Sequence, residues 1–136
     1  MSNEFVRNLT DADMVVTKEC PAAGANHNTG TIDLEQVTGG QIERIAAEIE
    51  IPATTTLVDT KKITLKLLDS ANDSSYADVD PLIQTTVTGT SGNVSAAKTV
   101  RFRFPPGVRR YVRVNIAVES GGGDNTGKSV TFRLLF

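Results

Sequence analysis

The fold is decided above all by one stretch of the chain, Tyr111-Val112-Arg113-Val114-Asn115-Ile116-Ala117-Val118. Apolar β-branched side chains occupy every even position of this stretch, and mostly polar side chains occupy the odd ones. Because successive side chains of a β-strand point to opposite faces, a period of two predicts a strand with one buried face. We expect this strand to lie at the centre of a sheet.

The same alternation extends outward from residues 111–118. It recurs upstream in residues 63–67 (ITLKL) and 100–104 (VRFRF), and downstream in residues 130–136 (VTFRLLF). These stretches predict half-buried antiparallel strands, and the last one predicts that the C-terminus is held in the sheet. Residues 14–17 (MVVT) predict a further short strand near the beginning of the chain.

Residues 41–51 (QIERIAAEIEI) fit two patterns. Ile42, Ile45, Ala46 and Ile49 have the spacing of a helix face. Alternation over residues 45–51 and the stop at Pro52 favour a strand, and a strand is our prediction.

Turn-forming residues separate these stretches. They occur at residues 39–40, 71–75, 89–93, 105–107 and 121–125. We expect the glycine run at residues 121–123 to form a flexible hairpin loop. The pattern predicts an all-β fold, an antiparallel β-sandwich of about seven or eight strands, of jelly-roll type or with an immunoglobulin-like order as the alternative.

The first thirty residues differ from the rest of the chain. Residues 21–30 are rich in Ala, Asn, Thr and Gly, with little apolar surface to bury, and predict a loop. We therefore expect residues 1–30 to form a flexible N-terminal arm and residues 31–136 to form the β-sandwich domain.

Composition excludes several classes of protein. The formal net charge is −2, so no overall basic field exists for nucleic acid, and aromatic residues make up only 5% of the chain. No apolar run approaches the roughly 20 residues of a membrane-spanning helix. The N-terminus lacks a secretory signal pattern, which predicts synthesis and retention in the cytoplasm.

The sequence contains few candidate catalytic residues. His27 is the single histidine and Cys20 the single cysteine, so neither a histidine pair nor a disulfide can form within the chain. We predict no enzyme activity, no catalytic residue, no cofactor and no metal. Carboxylates between Asp69 and Asp80 leave a calcium site as a minor alternative to turn capping.

Arginines are concentrated in the last third of the chain. Alternation puts Arg101 and Arg103 on the polar face of one strand and Arg113 on that of another, so their guanidinium groups could line one sheet surface and bind carboxylates of a partner. The candidate partner contacts are Arg101, Arg103, Arg109, Arg110 and Arg113. A solvated sheet face is the equally weighted alternative.

Two stretches resemble the small jelly-roll cement or decoration proteins on the capsids of tailed bacteriophages. Residues 65–79 resemble that family's strand and its D-S-x-D/N-x-S-x-F/Y turn, and residues 104–115 its proline-glycine corner leading into an R-Y-x-R-x strand. The similarity spans most of residues 32–136. Residues 1–30 do not take part in it.

The resemblance implies a structural virion protein on the outer capsid surface, made in the host cytoplasm. Its partner would be the major capsid protein, whose subunit contacts it reinforces, and it would form a homo-oligomer, a dimer or a trimer. We expect the arm to contribute strand-edge pairing to the shell or a sister subunit. The alternative is a carbohydrate-binding or adhesin-like sandwich, which the absence of tryptophan disfavours.

Overall fold

The computed structural model describes residues 10–34 and 46–135, and these residues are all-β. Within these ranges ten strands form two antiparallel sheets, which confirms the predicted β-sandwich, although with more strands than the seven or eight expected. The strands are β1 (Thr10–Glu19), β2 (Asn26–Asn28), β3 (Ile32–Asp33), β4 (Ala46–Ile51), β5 (Lys62–Ser70), β6 (Ala77–Asp78), β7 (Gln84–Thr88), β8 (Lys98–Arg103), β9 (Tyr111–Val118) and β10 (Ser129–Leu135).

The first sheet has four strands in the order β1-β10-β4-β8. Its pairing is antiparallel throughout, so that Glu48 of β4 lies opposite Arg133 of β10 on one side and Arg101 of β8 on the other. The predicted placement of the C-terminal strand is confirmed, because β10 lies between β1 and β4.

The second sheet has six strands in the order β2-β9-β5-β6, with β3 also paired to β9 and β7 to β5. β9 lies inside this sheet, as its sequence predicts, and pairs with β5 over eight residues from Ile63↔Val118 to Ser70↔Tyr111. The chain crosses from one sheet to the other after β1, β3, β4, β7, β8 and β9.

The core lies between the sheets. Along β9 the even residues are buried and the odd residues half-buried, as the period of two requires. β10 contributes Phe132 and Leu134, both fully buried, to the same core. Each such buried side chain contributes about 1.5–3 kcal/mol relative to an exposed one.

The prediction of a flexible arm over residues 1–30 is wrong for residues 10–30. β1 pairs with β10 from Thr10↔Leu135 to Glu19↔Ser129, and β2 pairs with β9. Met14 and Cys20 are buried in the common core, so the apolar residues of this region do contribute to the sandwich. Residues 1–9 lie outside the described residues.

The strand predicted over residues 45–51 is confirmed for β4. Ala47, Ile49 and Ile51 face the core, and Glu50 is exposed. The remaining residues of the ambiguous stretch, 41–45, and the glycine pair at 39–40 lie outside the described residues.

Candidate partner-binding surfaces

The five candidate arginines do not share one surface. Arg101 and Arg103 lie on β8 in the four-stranded sheet, whereas Arg113 lies on β9 in the six-stranded sheet. Arg109 and Arg110 lie in the connection between those strands. The prediction that strand alternation would align them on one sheet is therefore wrong, because neighbouring strands of the chain enter different sheets.

Arg101 belongs to a row of charges across three strands of the four-stranded sheet. Its Nε donates to Glu48 Oε2 at 2.7 Å, and Arg133 Nη1 donates to the other oxygen of the same carboxylate. The Glu48 side chain is only 6% exposed. Burial raises the pKa of Glu48, but the hydrogen bonds and charges of the two arginines outweigh it and hold the pKa below its ordinary value.

Arg109 fastens the proline-glycine corner to β5. Its Nε and Nη2 donate to Asp69 Oδ1 at 3.0 and 2.7 Å, and its backbone N–H donates to Asp69 Oδ2 at 3.0 Å. The corner itself is closed by a hydrogen bond from Val108 N to the Pro105 carbonyl. Asp69 is 4% exposed, so this arginine satisfies a buried carboxylate of its own chain.

Arg110 makes the second such bridge, at β3. Nε and Nη2 of Arg110 donate to the two carboxylate oxygens of Asp33 at 2.9 Å each, in the planar fork geometry typical of arginine. Its guanidinium also lies 4.8 Å from the ring centroid of Tyr111. The pair is partly exposed, with 40% of the arginine side chain accessible.

Arg113 stacks on Tyr76, a residue for which the sequence predicted no role. The guanidinium carbon lies 3.7 Å from the ring centroid, a cation–π contact, and the buried Nε has no hydrogen-bond partner among the described residues. The Tyr76 hydroxyl donates to Asp73 Oδ1 and lies 2.9 Å from Thr31 Oγ1. Burial, and next the bond to Asp73, raise the pKa of Tyr76.

The turn that carries Tyr76 is organised by its own side chains. Asn72 Oδ1 accepts the backbone N–H groups of Ser74 and Ser75 at 2.9 and 3.0 Å, and the hydroxyl of Ser70 at 2.9 Å. This is the turn-capping behaviour expected of asparagine. The motif over residues 69–76 thus forms a rigid turn at one end of the sandwich.

The acidic residues between Asp69 and Asp80 do not converge on a cation. Asp69 is taken by Arg109 and Asp73 by Tyr76 and Thr31. In residues 10–34 and 46–135, no three His, Cys, Asp or Glu side chains are arranged to hold a metal. The geometry therefore gives the calcium alternative no support.

His27 and Cys20 have structural surroundings. His27 lies on β2 rather than in a loop, and its Nδ1 donates to the Glu19 carbonyl at 3.1 Å. Cys20 is fully buried, and burial raises the pKa of its thiol, which disfavours the nucleophilic thiolate.

We call the end of the sandwich formed by residues 31–33, 69–76 and 104–113 the arginine end. The opposite end, the glycine end, is formed by the loops 52–61, 89–97 and 119–128. These loops are joined by buried neutral hydrogen bonds. Thr54 Oγ1 and Ser95 Oγ lie 3.0 Å apart, and Thr54 and Ser95 also exchange two backbone hydrogen bonds.

The glycine run is packed in the glycine end rather than free, which corrects the prediction of a flexible loop. The fully buried Asn125 donates to the Gly122 carbonyl at 3.1 Å and accepts from Thr56 Oγ1 at 2.9 Å. A Cβ on Gly123 would lie 2.3 Å from the Thr56 carbonyl oxygen, so this loop can approach its neighbour only because it has no side chain.

A shallow open depression lies on the outer face of the six-stranded sheet at the glycine end. It is lined by Thr60, Lys62, Thr64, Ala117, Val118 and Glu119. Farther along the same face, Asn115 Nδ2 donates to Asn28 Oδ1 at 3.0 Å and lies 3.3 Å from Asn26 Oδ1. This face is polar and nearly flat rather than a cleft.

The sequence was compared with models of protein families and with curated proteins. The sequence matches no family model and no curated protein. Within the described residues, no helix is long and apolar enough to cross a bilayer.

Proposed function

We propose that this chain is a capsid decoration, or cement, protein: a structural virion protein that binds the outer capsid surface and reinforces contacts between major capsid protein subunits. It would be synthesised in the host cytoplasm and act as a homo-oligomer, without catalysing a reaction. The proposal takes its starting point from the resemblance carried by residues 65–79 and 104–115.

One observation carries the proposal: the two resembling stretches form a single corner of the fold. Asp69 of the first stretch holds Arg109 of the second, and Tyr76 of the first lies under Arg113 of the second. The residues that make up the two motifs are thus each other's partners. If the two stretches resembled the family only by chance, there would be no reason for them to contact each other in the fold.

Strand order supports the jelly-roll form of this proposal. The four-stranded sheet reads β1-β10-β4-β8 and faces a sheet built on β2-β9-β5-β6, so that the chain crosses between sheets after β1, β3, β4, β7, β8 and β9. A jelly roll is two Greek keys wound in this manner. The immunoglobulin order instead keeps consecutive strands such as A and B, or F and G, in one sheet.

The physical mechanism of such a protein is additional adhesion. Each copy adds an interface that must break before neighbouring capsid subunits separate, and repetition at symmetry-related positions gives avidity to weak single contacts. A rigid binder loses little entropy on docking. The hydrogen-bonded loops of the glycine end and the ion pairs of the arginine end both provide such rigidity.

Among the five candidate arginines, those on β8 are the best placed to contact a shell. Arg101 keeps 61% of its side chain exposed despite its bond to Glu48, and Arg103 is also exposed. Arg109 and Arg113 join the two motif stretches to each other and Arg110 bridges to Asp33 of β3, so we assign these three to the scaffold of the proposed binding surface.

The test is reconstitution on heads of the virus that encodes the chain, prepared without it. Added protein should bind to a saturable number of sites and raise the temperature at which the heads release their genome. Arg103→Ala should weaken binding, and the exposed Lys62 on the other sheet supplies the matched control, Lys62→Ala, which should not. Heads that take up no protein, or that take it up with no gain in thermal stability, would contradict the proposal.

The carbohydrate-binding alternative finds less support. Sugars stack on open aromatic faces, and the ring faces of both tyrosines, Tyr76 and Tyr111, are contacted on one side by arginine. Saturable binding to immobilised glycans, together with no occupancy on heads, would reverse this preference.

A further inference from the structure

The outer face of the six-stranded sheet carries three cationic side chains on its two central strands, β5 and β9. Lys62 and Lys66 of β5 alternate with the buried Ile63 and Leu65 and therefore face outward. Arg113 occupies one of the outward positions of β9. Because the outward positions of these two strands hold no acidic residue, the centre of this face is positively charged.

Arg113 differs from other arginines of the described chain in its hydrogen bonding. Four of them donate to a carboxylate of the same chain, namely Arg101, Arg109, Arg110 and Arg133. No residue in the ranges 10–34 and 46–135 accepts a hydrogen bond from Arg113, although its Nε is buried. A buried donor without an acceptor destabilises a fold, and such groups are rare in native proteins. The donors of Arg113 are therefore available to an acceptor from outside the chain.

The guanidinium of Arg113 is held in place without using its N–H groups. Its carbon lies 3.7 Å from the centroid of the Tyr76 ring, and the Tyr76 hydroxyl is fixed by Asp73 and by Thr31. The N–H groups lie in the plane of the guanidinium, so a contact with its face leaves them free. Arg113 thus contributes to the scaffold through this face, and its N–H edge takes no part in it. A side chain that is already ordered loses little entropy when a ligand binds.

Lys66 places a second positive charge beside Arg113. In the pairing of β5 with β9, Lys66 lies opposite Asn115, and Leu68 lies opposite Arg113. The two cations are therefore diagonal neighbours on one face, with Cα atoms roughly 7–8 Å apart. Lys66 likewise forms no ion pair with the part of the chain that the structure describes. At this separation its ammonium attracts an anion that Arg113 binds without competing for the same position.

The carboxylates near the two cations favour a ligand with a single negative charge. Asp73 accepts the Tyr76 hydroxyl, and Asp78 lies opposite Leu68 on the far side of β5. Coulomb repulsion from these groups is larger for a doubly charged anion such as phosphate than for a carboxylate. The planar edge of a guanidinium also matches the two oxygens of a carboxylate. A carboxylate is therefore the ligand that fits this position.

The shape of this face favours a carboxylate that belongs to a protein. Sites for small molecules are concave and enclose most of the ligand, whereas this face is open and nearly flat. Beside the two cations lies a row of hydrogen-bonded amides formed by Asn26, Asn28 and Asn115. Amides both donate and accept hydrogen bonds, so the row offers further contacts to a polar protein surface. A free carboxylate is too small to use them.

We infer that Arg113 and Lys66 form a binding site for a carboxylate side chain in an acidic segment of a partner protein. Arg113 holds the carboxylate through its N–H edge, Lys66 adds attraction, and the amide row contacts neighbouring polar groups of the partner. The inference goes beyond the proposed function, because it assigns a site to the sheet that does not contain Arg103 and is measured on the free chain.

The test is a titration of the full chain, followed by two-dimensional NMR of its N–H groups. The probe is the peptide Gly-Glu-Gly-Glu-Gly, blocked at both ends, and Gly-Gln-Gly-Gln-Gly is its neutral counterpart. We expect the acidic peptide to bind with a dissociation constant in the millimolar range and to shift the Arg113 Nε–H signal, and the neutral peptide to leave it unchanged. Acetate and inorganic phosphate at equal ionic strength show whether a free anion is sufficient, and both should bind at least about tenfold more weakly than the acidic peptide.

Three variants locate the site. Arg113→Lys keeps the charge but loses the planar fork, and it should weaken peptide binding about tenfold. Lys66→Glu reverses the neighbouring charge and should weaken binding about fivefold, so it keeps the test decisive if Arg113→Lys does not fold. Lys62→Ala is the matched control and should leave binding unchanged, because Lys62 lies roughly 13 Å farther along β5, beyond the Debye length of about 8 Å. Thermal melting confirms that each variant is folded.

The inference is overturned if the acidic peptide does not bind, if the neutral peptide binds equally well, or if folded Arg113→Lys or Lys66→Glu binds as the wild type does. A loss in Lys62→Ala as large as in those variants would show attraction to any cation and overturn it too. Phosphate or acetate binding as tightly as the peptide would replace the partner protein by a free anion. Head binding is measured separately. A chain that binds heads but not the peptide would leave the proposed function intact without this site, and the converse result would do the reverse.

Discussion

The two ends of the sandwich are rigid for different physical reasons. At the glycine end, the backbones of neighbouring loops pack directly against each other, and buried neutral groups such as Asn125 and Thr54 join the loops by hydrogen bonds. At the arginine end, the turn and the corner are joined by the pairs Asp69–Arg109 and Asp33–Arg110, which are partly exposed. Substitutions that change side-chain size should therefore affect stability most at the glycine end. Changes of charge, pH and salt concentration should affect it most at the arginine end.

The largest effect should come from filling the close approach at the glycine end. Gly123 has a φ of +86°, and an added Cβ would overlap the Thr56 carbonyl oxygen, so Gly123→Ala combines overpacking with left-handed strain. We expect a loss of about 3–4 kcal/mol in the free energy of unfolding, measured by urea denaturation.

Gly107→Ala is the matched control at the arginine end, because nothing lies within 4 Å of a Cβ built there. It should change stability by less than about 0.5 kcal/mol. Equal effects of the two substitutions would show that the glycine end is not packed as described.

A smaller loss should follow removal of the buried carboxylate at the arginine end. Asp69→Ala leaves Arg109 without three hydrogen bonds to a charged acceptor, and we expect a cost of about 2 kcal/mol by the same denaturation method. Asp78→Ala, at an exposed position on β6, is the control and should be nearly silent. If the Asp69 variant were as stable as the Asp78 variant, the bonds between Asp69 and Arg109 would not stabilise the proline-glycine corner.

The arginine end should also be visible in an alkaline titration. In Tyr111→Phe, Tyr76 is the single tyrosine, and its tyrosinate absorbance should rise with a midpoint above the ordinary value of 10.0. Since the folded pKa is raised, the stability that Tyr76 contributes is complete below pH 10.0 and is lost as the pH rises through the folded pKa. A midpoint at or below 10.0 would mean that Tyr76 is not buried against Asp73.

The smallest effects should separate the two ends by their response to salt. Arg110→Ala removes a partly exposed fork to Asp33, which should cost less than about 1 kcal/mol and less still in 1 M salt. Thr54→Val removes the buried contact with Ser95 and should cost about 1 kcal/mol at any salt concentration. Identical salt responses would erase the distinction between the ends.

Local pattern was enough to predict most of the long strands that line the core, but not the short strands β3 and β7, which contribute Ile32 and Val87 to it. Alternation located β5, β8, β9 and β10, and it favoured a strand for residues 45–51, because burial of one strand face requires an apolar residue at every second position. β2 escaped this reasoning, since Asn26, His27 and Asn28 hold no apolar residue. Its place is set by pairing with β9, which local composition does not encode.

The candidate surfaces were less accessible to sequence reasoning. Strand alternation correctly placed Arg101 and Arg103 on one face, but which sheet a strand joins is a long-range property. Glu48 is paired with Arg101 and Arg133, which lie 53 and 85 residues from it in the sequence, and no local pattern predicts either pair. The contact of Tyr76 with Arg113 likewise needs the fold before it can be found.

A cryo-electron microscopy comparison of heads prepared with and without the protein would test the proposed decoration function without any substitution in the chain. We expect added density on the outer capsid surface that fits the β-sandwich and bridges neighbouring major capsid subunits. Indistinguishable reconstructions at saturating protein, or density inside the shell, would contradict it.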